Sequence, residues 1–265
     1  KFLSNNTKIV WKIEKFMLML KLPKMFSQLW LLLILSLLTL EGPQPSTGSG
    51  YTTKSSVDLL ENDSRYISYQ DLMSTAKRFY DPETTWYSEM LFDVARNQVI
   101  VGARDTLYRM SFDLEPLERA SWGATPSEIA MCQAKGQSER WCRNYVRVLH
   151  SYGENQLYAC GTNAFQPSCS WRQMENLTVT GVDSGVVKCP FHPQANSTSL
   201  LQSNGQLFVG TATDFSGSDV AILRTGVESN KRFLRTKQYN NNWLSGAQFV
   251  GSFEAGHFVY FLIRE

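Results

Sequence analysis

Residues 206–211 read QLFVGT, and close variants of that phrase stand at 98–103 (QVIVGA), 156–162 (QLYACGT) and 257–262 (HFVYFL). Each opens on a polar residue and continues into a short β-prone run, and three of the four then reach a glycine. Their starts, at 98, 156, 206 and 257, lie 58, 50 and 51 residues apart. A second apolar run precedes every copy: MLFDVARN, YVRVLHSYGEN, TSLLQSNG and AQFVGSFEAG. Between the paired runs sit Asn97, Gly153 with Asn155, Asn204 with Gly205, and Gly256, residues that accept the positive φ or local bend of a tight hairpin. The flanking Val, Ile, Phe and Tyr suit a pleated, half-buried surface. One hairpin about every 50 residues leaves room for two more strands per interval, the spacing of four-stranded blades in a β-propeller. The expected class is therefore all-β; a β-sandwich is the main rival, but its strands need no such recurrence.

One helix is expected near the start of this region. SYQDLMSTAKRFY, Ser68 to Tyr80, places Leu72, Ala76 and Phe79 at helical spacing, and Pro82 supplies a stop. An extended lead-in strand is the competing reading.

Upstream of the repeats the chain divides by composition. Residues 1–16 precede the first methionine, Met17, and are set aside as an upstream segment. Residues 17–50 carry Lys21 and Lys24, the apolar run LWLLLILSLLTL from Leu29 to Leu40, and then small residues at Ser46, Gly48 and Gly50. That run falls short of the roughly 20 residues a spanning helix needs, but it suits the core of a signal peptide. Cleavage is expected after Gly48 or Gly50; a retained anchor is the alternative. Residues 51–265 are then an exported body carrying one partial domain, with no long apolar run after Leu40. The whole chain has a net charge of +2. Residues 51–265 keep 20 basic against 22 acidic groups, because six lysines and two glutamates lie before them. Such a balance offers no electrostatic footprint for nucleic acid.

The five cysteines fit an oxidising compartment. Cys132 and Cys142 are ten residues apart, Cys160 and Cys169 nine, and Cys189 stands alone. Without CxxC or a Cys/His cluster at zinc spacing, two local bridges are the favoured reading, each stabilising by about 3 kcal/mol in the loop-entropy model. Spacing alone leaves the connectivity open, and Cys189 is either a buried thiol or awaits a partner outside the chain. Sequons at Asn62, Asn176 and Asn196 point to glycosylated surface loops.

Catalytic chemistry is thinly represented. His150, His192 and His257 lie in unrelated contexts with no neighbouring nucleophile or orienting carboxylate. HExxH, GxxxxGK[ST], GxSxG and GxGxxG are absent, so no cofactor and no small-molecule substrate are expected. The stretch DFSGSDVAILR, 214–224, crowds two carboxylates, two hydroxyls and a glycine into six residues. As an EF-hand loop it fails, because Ser216, Ser218 and Asp219 replace the third, fifth and sixth positions and Thr225 the final Glu. It reads better as a turn: Asp214 and Ser216 close local hydrogen bonds, Gly217 bends the chain and VAILR resumes a strand.

DFSGSDVAILRT also resembles the semaphorin family, whose pattern runs Asp-Phe, a small glycine-containing loop, Asp, then a strand ending in Ile-x-Arg. VGARDTLYRM (101–110), CRNYVRVL (142–149), CGTNAFQPSC (160–169) with KCPFHP (188–193), and YNNNWLSGAQFVGSFEAGHFVYFLIRE (239–265) agree in order. The spans CQAKGQSERWC and CGTNAF are most similar to class 5 members; VYFLIRE departs from the family in placing Leu262 and Ile263 where aromatics are usual. The resemblance implies a seven-bladed propeller, the sema domain, of which this chain supplies roughly the first three blades. It implies bridges between Cys132 and Cys142 and between Cys160 and Cys169. It further implies a non-catalytic axon-guidance ligand that engages plexin receptors, usually as a homodimer, with membrane attachment only if sequence beyond Glu265 supplies it. Plexin contacts in the family cluster around the third and fourth blades, which makes Arg224, Arg235, Tyr239 and Trp243 the candidate receptor-binding residues. The alternatives are the ectodomain of a receptor that itself carries a sema domain, and a secreted propeller hydrolase.

Overall fold

The structure is a computed structural model that describes residues 68–227, 233–236, 244 and 246–264. These fall into two units, one ending at Ala76 and the other beginning at Lys77. In the first, α1 (Tyr69–Thr75) is capped by Ser68, whose Oγ accepts the Asp71 N–H at 3.0 Å. The helix is shorter than the periodicity suggested. None of its residues is buried and Ala76 is already extended, so no apolar stripe is packed to carry it further.

The second unit is built of antiparallel sheets. β1 (Glu89–Asp93), β2 (Gln98–Ala103), β3 (Thr106–Ser111) and β4 (Pro116–Ser121) form the first four-stranded sheet in sequential order. β5 (Val146–Tyr152), β6 (Gln156–Gly161), β7 (Ser168–Gln173) and β8 (Val179–Ser184) form the second, and β9 (Thr198–Leu201), β10 (Gln206–Ala212), β11 (Val220–Gly226) and β12 (Leu234–Arg235) the third. β13 (Gln248–Ala255) and β14 (Phe258–Arg264) pair as a two-stranded sheet. β1 lies against β5, β5 against β9 and β9 against β13, so each sheet meets the next through its first strand, in the manner of propeller blades.

The four repeats are the second strand of each sheet. Asn97, Gly153, Gly205 and Gly256, in the turns before them, all have positive φ, between 51° and 76°. These are the left-handed positions that make the hairpins tight. The unbroken apolar reading of the first three repeats also has a cause, because β2, β6 and β10 are covered on both faces, whereas β14 leaves Phe258, Tyr260 and Leu262 exposed. Ile100 packs with Leu107 against Val146, Leu149 and Leu157 of the next blade, while Val99 and Val101 pack on the opposite face with Tyr108, Met110 and Phe79. In the second blade Leu157 and Ala159 face backward into that first interface, and Tyr158 and Cys160 face forward onto Leu207, Val209 and Leu223. Each such aliphatic side chain contributes about 1.5–3 kcal/mol by leaving water.

The recurring glycine marks where a neighbouring side chain is inserted. A Cβ on Gly102 would stand 2.5 Å from Val146 Cγ1, and one on Gly210 would stand 2.5 Å from the Phe249 ring of β13. At Gly161 the space is taken by Asn144 Oδ1. Asn144 is fully buried and ties two blades together. Its N–H donates to Asp105 Oδ1 at 2.8 Å, its carbonyl accepts the Asp105 N–H at 2.7 Å, its Nδ2 donates to the Trp122 carbonyl at 2.7 Å, and its Oδ1 accepts the Asn163 N–H at 3.0 Å. That last contact helps hold Asn163, Ala164 and Phe165, three consecutive non-glycine residues at φ 41°, 54° and 61°. Such conformations cost about 1 kcal/mol or more each and persist only where the surroundings enforce them.

A second helix, α2 (Pro126–Ala134), lies between the first two blades and was not anticipated from periodicity. Its signal in the sequence is TPSE: Thr125 and Glu128 form a reciprocal capping box, with Pro126 at the first helical position. The disulfide between Cys132 and Cys142 fastens α2 to the turn Glu139–Trp141 that leads into the second blade.

Candidate functional site

Of the candidate receptor-binding residues, Arg224 and Arg235 lie on the outer strands of the third blade, β11 and β12. Leu223 pairs with Arg235 and Arg224 with Leu234, so the two arginines project from opposite faces of the β11–β12 ribbon. Arg224 is half-buried and has no ion-pair partner among the described residues. Arg235 is committed internally, because its Nη2 reaches both carboxylate oxygens of Asp219 at 3.0 Å and its Nε donates to the Thr236 carbonyl at 3.2 Å. Tyr239 and Trp243 lie outside the described residues, as do Asn62 and the proposed leader, residues 17–50.

The DFSGSD loop between β10 and β11 is closed by its own groups. Asp214 Oδ1 accepts the Asp219 N–H at 2.8 Å, and Oδ2 accepts the hydroxyls of Ser216 and of Ser218, the latter at 3.0 Å. Gly217, at φ 77°, makes the bend, and Thr213 N–H donates to the Asp219 carbonyl at 2.9 Å. Partial burial pushes the Asp214 carboxyl up, but the donors of Ser216, Asp219 and Ser218 outweigh it and hold the group down at about 2. The carboxylate oxygens are therefore filled by the turn, and Asp219 is filled by Arg235. Phe215 at the loop's centre packs on Phe165 of the second blade, with ring centroids 5.2 Å apart, and so fixes the loop against its neighbour.

The remaining polar residues are structural in their contacts. His150 is pushed down to about 4 by burial, and its Nε2 lies 2.8 Å from Ser199 Oγ. His192 is likewise lowered by burial and by the Arg147 charge. Cys160 and Cys169, direct partners across β6 and β7, are bonded, and Cys189 is a fully buried thiol in the same apolar cluster, pushed up by that burial. Asn176 is exposed at the turn between β7 and β8, while exposed Asn196 donates its amide to Gln248 Oε1 at 3.0 Å.

One carboxylate at the blade junction is poorly compensated. Glu89 on β1 keeps about a third of its side chain in water and approaches Arg147 Nε only to 4.0 Å. Arg147 spends its other donors on the carbonyls of Pro193 and Ala195. Burial outweighs the Arg147 charge and pushes Glu89 up to about 7 from an ordinary 4.5. A folded-state value raised above the unfolded one gives stability that is complete below the unfolded pKa and is lost as pH rises through 7. Glu89→Gln is therefore expected to stabilise the protein at pH 8 by about 1–2 kcal/mol, allowing for screening at a site one-third exposed, and to change little near pH 4.5. Thermal melts at the two pH values check this, and equal shifts at both would refute it.

Comparison with known proteins bears on what such blades belong to. No family model matches the chain. Semaphorin 5c of Drosophila melanogaster is 99% identical over 249 residues, which cover 94% of this chain and 23% of that protein. Semaphorin-5B of Mus musculus is 39% identical over 238 residues, covering 88% of this chain and 22% of that protein. The chain belongs to the semaphorin family, within class 5. It spans under a quarter of the length of these semaphorins. Among solved structures, the complex of Drosophila Plexin A with Semaphorin 1b matches with a TM-score of 0.59 and 33% identity, over 68% of this chain and 33% of that one. The four-stranded sheets are accordingly blades from the N-terminal part of a semaphorin propeller, the sema domain.

Proposed function

We propose that the chain is the N-terminal part of an extracellular semaphorin guidance ligand that docks on a plexin-type receptor through its propeller and catalyses no reaction. The observation that carries this reading is the likeness, at 33% identity, to a semaphorin solved together with Plexin A. The two disulfides suit an exported protein. In the reading, residues 17–50 act as a signal peptide, sugars are carried on Asn62, Asn176 and Asn196, and sequence beyond Glu265 completes a seven-bladed ring that forms a homodimer and, where it includes an anchor, attaches to the membrane.

Receptor contact is assigned to Arg224 on the outer third blade and, on the family resemblance, to Tyr239 and Trp243, with Arg235 chiefly a brace for Asp219. The full-length secreted protein should bind plexin-expressing cells saturably, lose that binding when plexin is removed, and bind about tenfold more weakly as Arg224→Glu. Binding that persists without plexin, or none at all, would reject the proposal.

A further inference from the structure

A run of aromatic rings crosses from the first blade to the third on the side that bears the β2–β3, β6–β7 and β10–β11 turns. Trp86 stands 5.6 Å from Trp141, Trp141 5.4 Å from His192, His192 5.4 Å from Phe165, and Phe165 5.2 Å from Phe215, all between ring centroids. Trp86 is 40% exposed and holds a positive φ of 63°. For a bulky side chain that backbone is an outlier that only its surroundings can enforce. Beside the run opens a cleft of about 330 Å³, lined in part by Arg104, Arg119 and Arg143.

Two cations lie on this run. The Arg140 guanidinium sits 4.1 Å over the Trp141 ring and Lys135 Nζ 5.7 Å over the Phe215 ring. Both residues are exposed, and no carboxylate pairs with either among the described residues. The neighbouring arginines differ, because Arg119 meets Asp81 and Glu83, Arg143 meets Glu139 and Arg104 meets Asp105. Arg140 is also held in place: Tyr145 Oη donates to its carbonyl at 2.7 Å, and the Cys132–Cys142 bridge closes the turn that carries it.

The Arg140 guanidinium lies over the Trp141 ring with no carboxylate partner among the described residues, which leaves its N–H donors open to a ligand. A guanidinium is a planar fork that matches a carboxylate, which accepts two parallel hydrogen bonds from it. Rigid Trp faces beside an unpaired Arg are the composition that dominates the energetics of protein contacts, since little side-chain entropy is lost on docking. We propose that the Trp86–Trp141–Arg140 face is a docking surface for an acidic peptide segment of a protein partner, its carboxylates on Arg140 and its apolar or aromatic side chains on the two tryptophans. The surface uses none of the residues assigned to plexin and does not rest on that reading.

The secreted full-length protein tests this with a fluorescein-labelled peptide of alternating glutamate and tyrosine, its glutamine counterpart, and a heparin hexasaccharide. Saturable binding of the glutamate peptide alone is expected, weakening as salt rises. Arg140→Glu should lower that affinity roughly tenfold or more and Arg140→Gln less, with plexin binding and melting temperature unchanged in both. Equal affinity in wild type and Arg140→Glu, failure of the glutamate peptide to saturate, equal binding of the glutamine peptide, or saturation by heparin alone would each overturn the proposal. Loss of plexin binding in the wild type with peptide binding intact would fault the receptor reading and leave this one standing.

Discussion

Asn144→Ala is expected to be among the most damaging single substitutions in the described blades, lowering stability by about 2–5 kcal/mol. The side chain is fully buried and satisfies two backbone groups, the part-buried Trp122 carbonyl and the buried Asn163 N–H. Removing it leaves each at a penalty of about 1–3 kcal/mol. It also empties the space above Gly161 and releases one restraint on the left-handed turn at Asn163, Ala164 and Phe165. Calorimetry of the secreted protein should show a melting temperature lower by roughly 10 °C, whereas Asn176→Gln, at an exposed turn, should shift it by a degree or two at most. Similar melting of the two variants would contradict the role given to Asn144 as the tie between the first two blades.

Gly210→Ala should be nearly as costly, at about 2–4 kcal/mol, although it adds a single methyl group. The new Cβ would lie 2.5 Å from Cδ1 and Cε1 of Phe249, a ring that is itself buried against the third blade. Neither partner yields easily: Gly210 is held between β9 and β11, and Phe249 is registered on β13 opposite Ile263. Because the cost arises from one pair, it should be conditional. In a Phe249→Leu background the same Gly210→Ala change should cost about 1–2 kcal/mol less, a coupling measurable by a double-mutant cycle. Strict additivity would mean that the ring and the glycine do not share the space assigned to them.

Much of the blade architecture was legible because hairpins are local. A positive-φ residue between two β-prone runs specifies antiparallel pairing within about 15 residues, and Asn97, Gly153, Gly205 and Gly256 all adopt that conformation. The absence of alternation in QVIVGA was likewise informative, since a strand covered on both faces has no polar face to display. Helices leave a fainter trace in the sequence. The apolar spacing in Ser68–Tyr80 suggests a longer helix than Tyr69–Thr75, and α2 is marked by a capping box rather than by an apolar stripe.

Around the candidate residues, the local turn was legible but the contacts of each side chain were not. DFSGSDVAILR was identifiable as a turn and a strand, because Asp, Ser and Gly act on backbone groups only a few positions away. That Arg235 is neutralised by Asp219 was not readable, since the pair forms only after β12 registers on β11 across a 16-residue interval.

The sequence by itself determined the repeating hairpins, the left-handed turn positions and the likeness to semaphorins, all properties carried by short segments whose energetics are local. Tertiary structure alone decided what fills the space beside the repeated glycines, which carboxylates are neutralised, and that Trp86 meets Trp141. The reason is physical: overlap, desolvation and ion pairing depend on distances of a few ångströms between residues as much as 58 positions apart, as Glu89 and Arg147 are, and such distances exist only once the blades have packed.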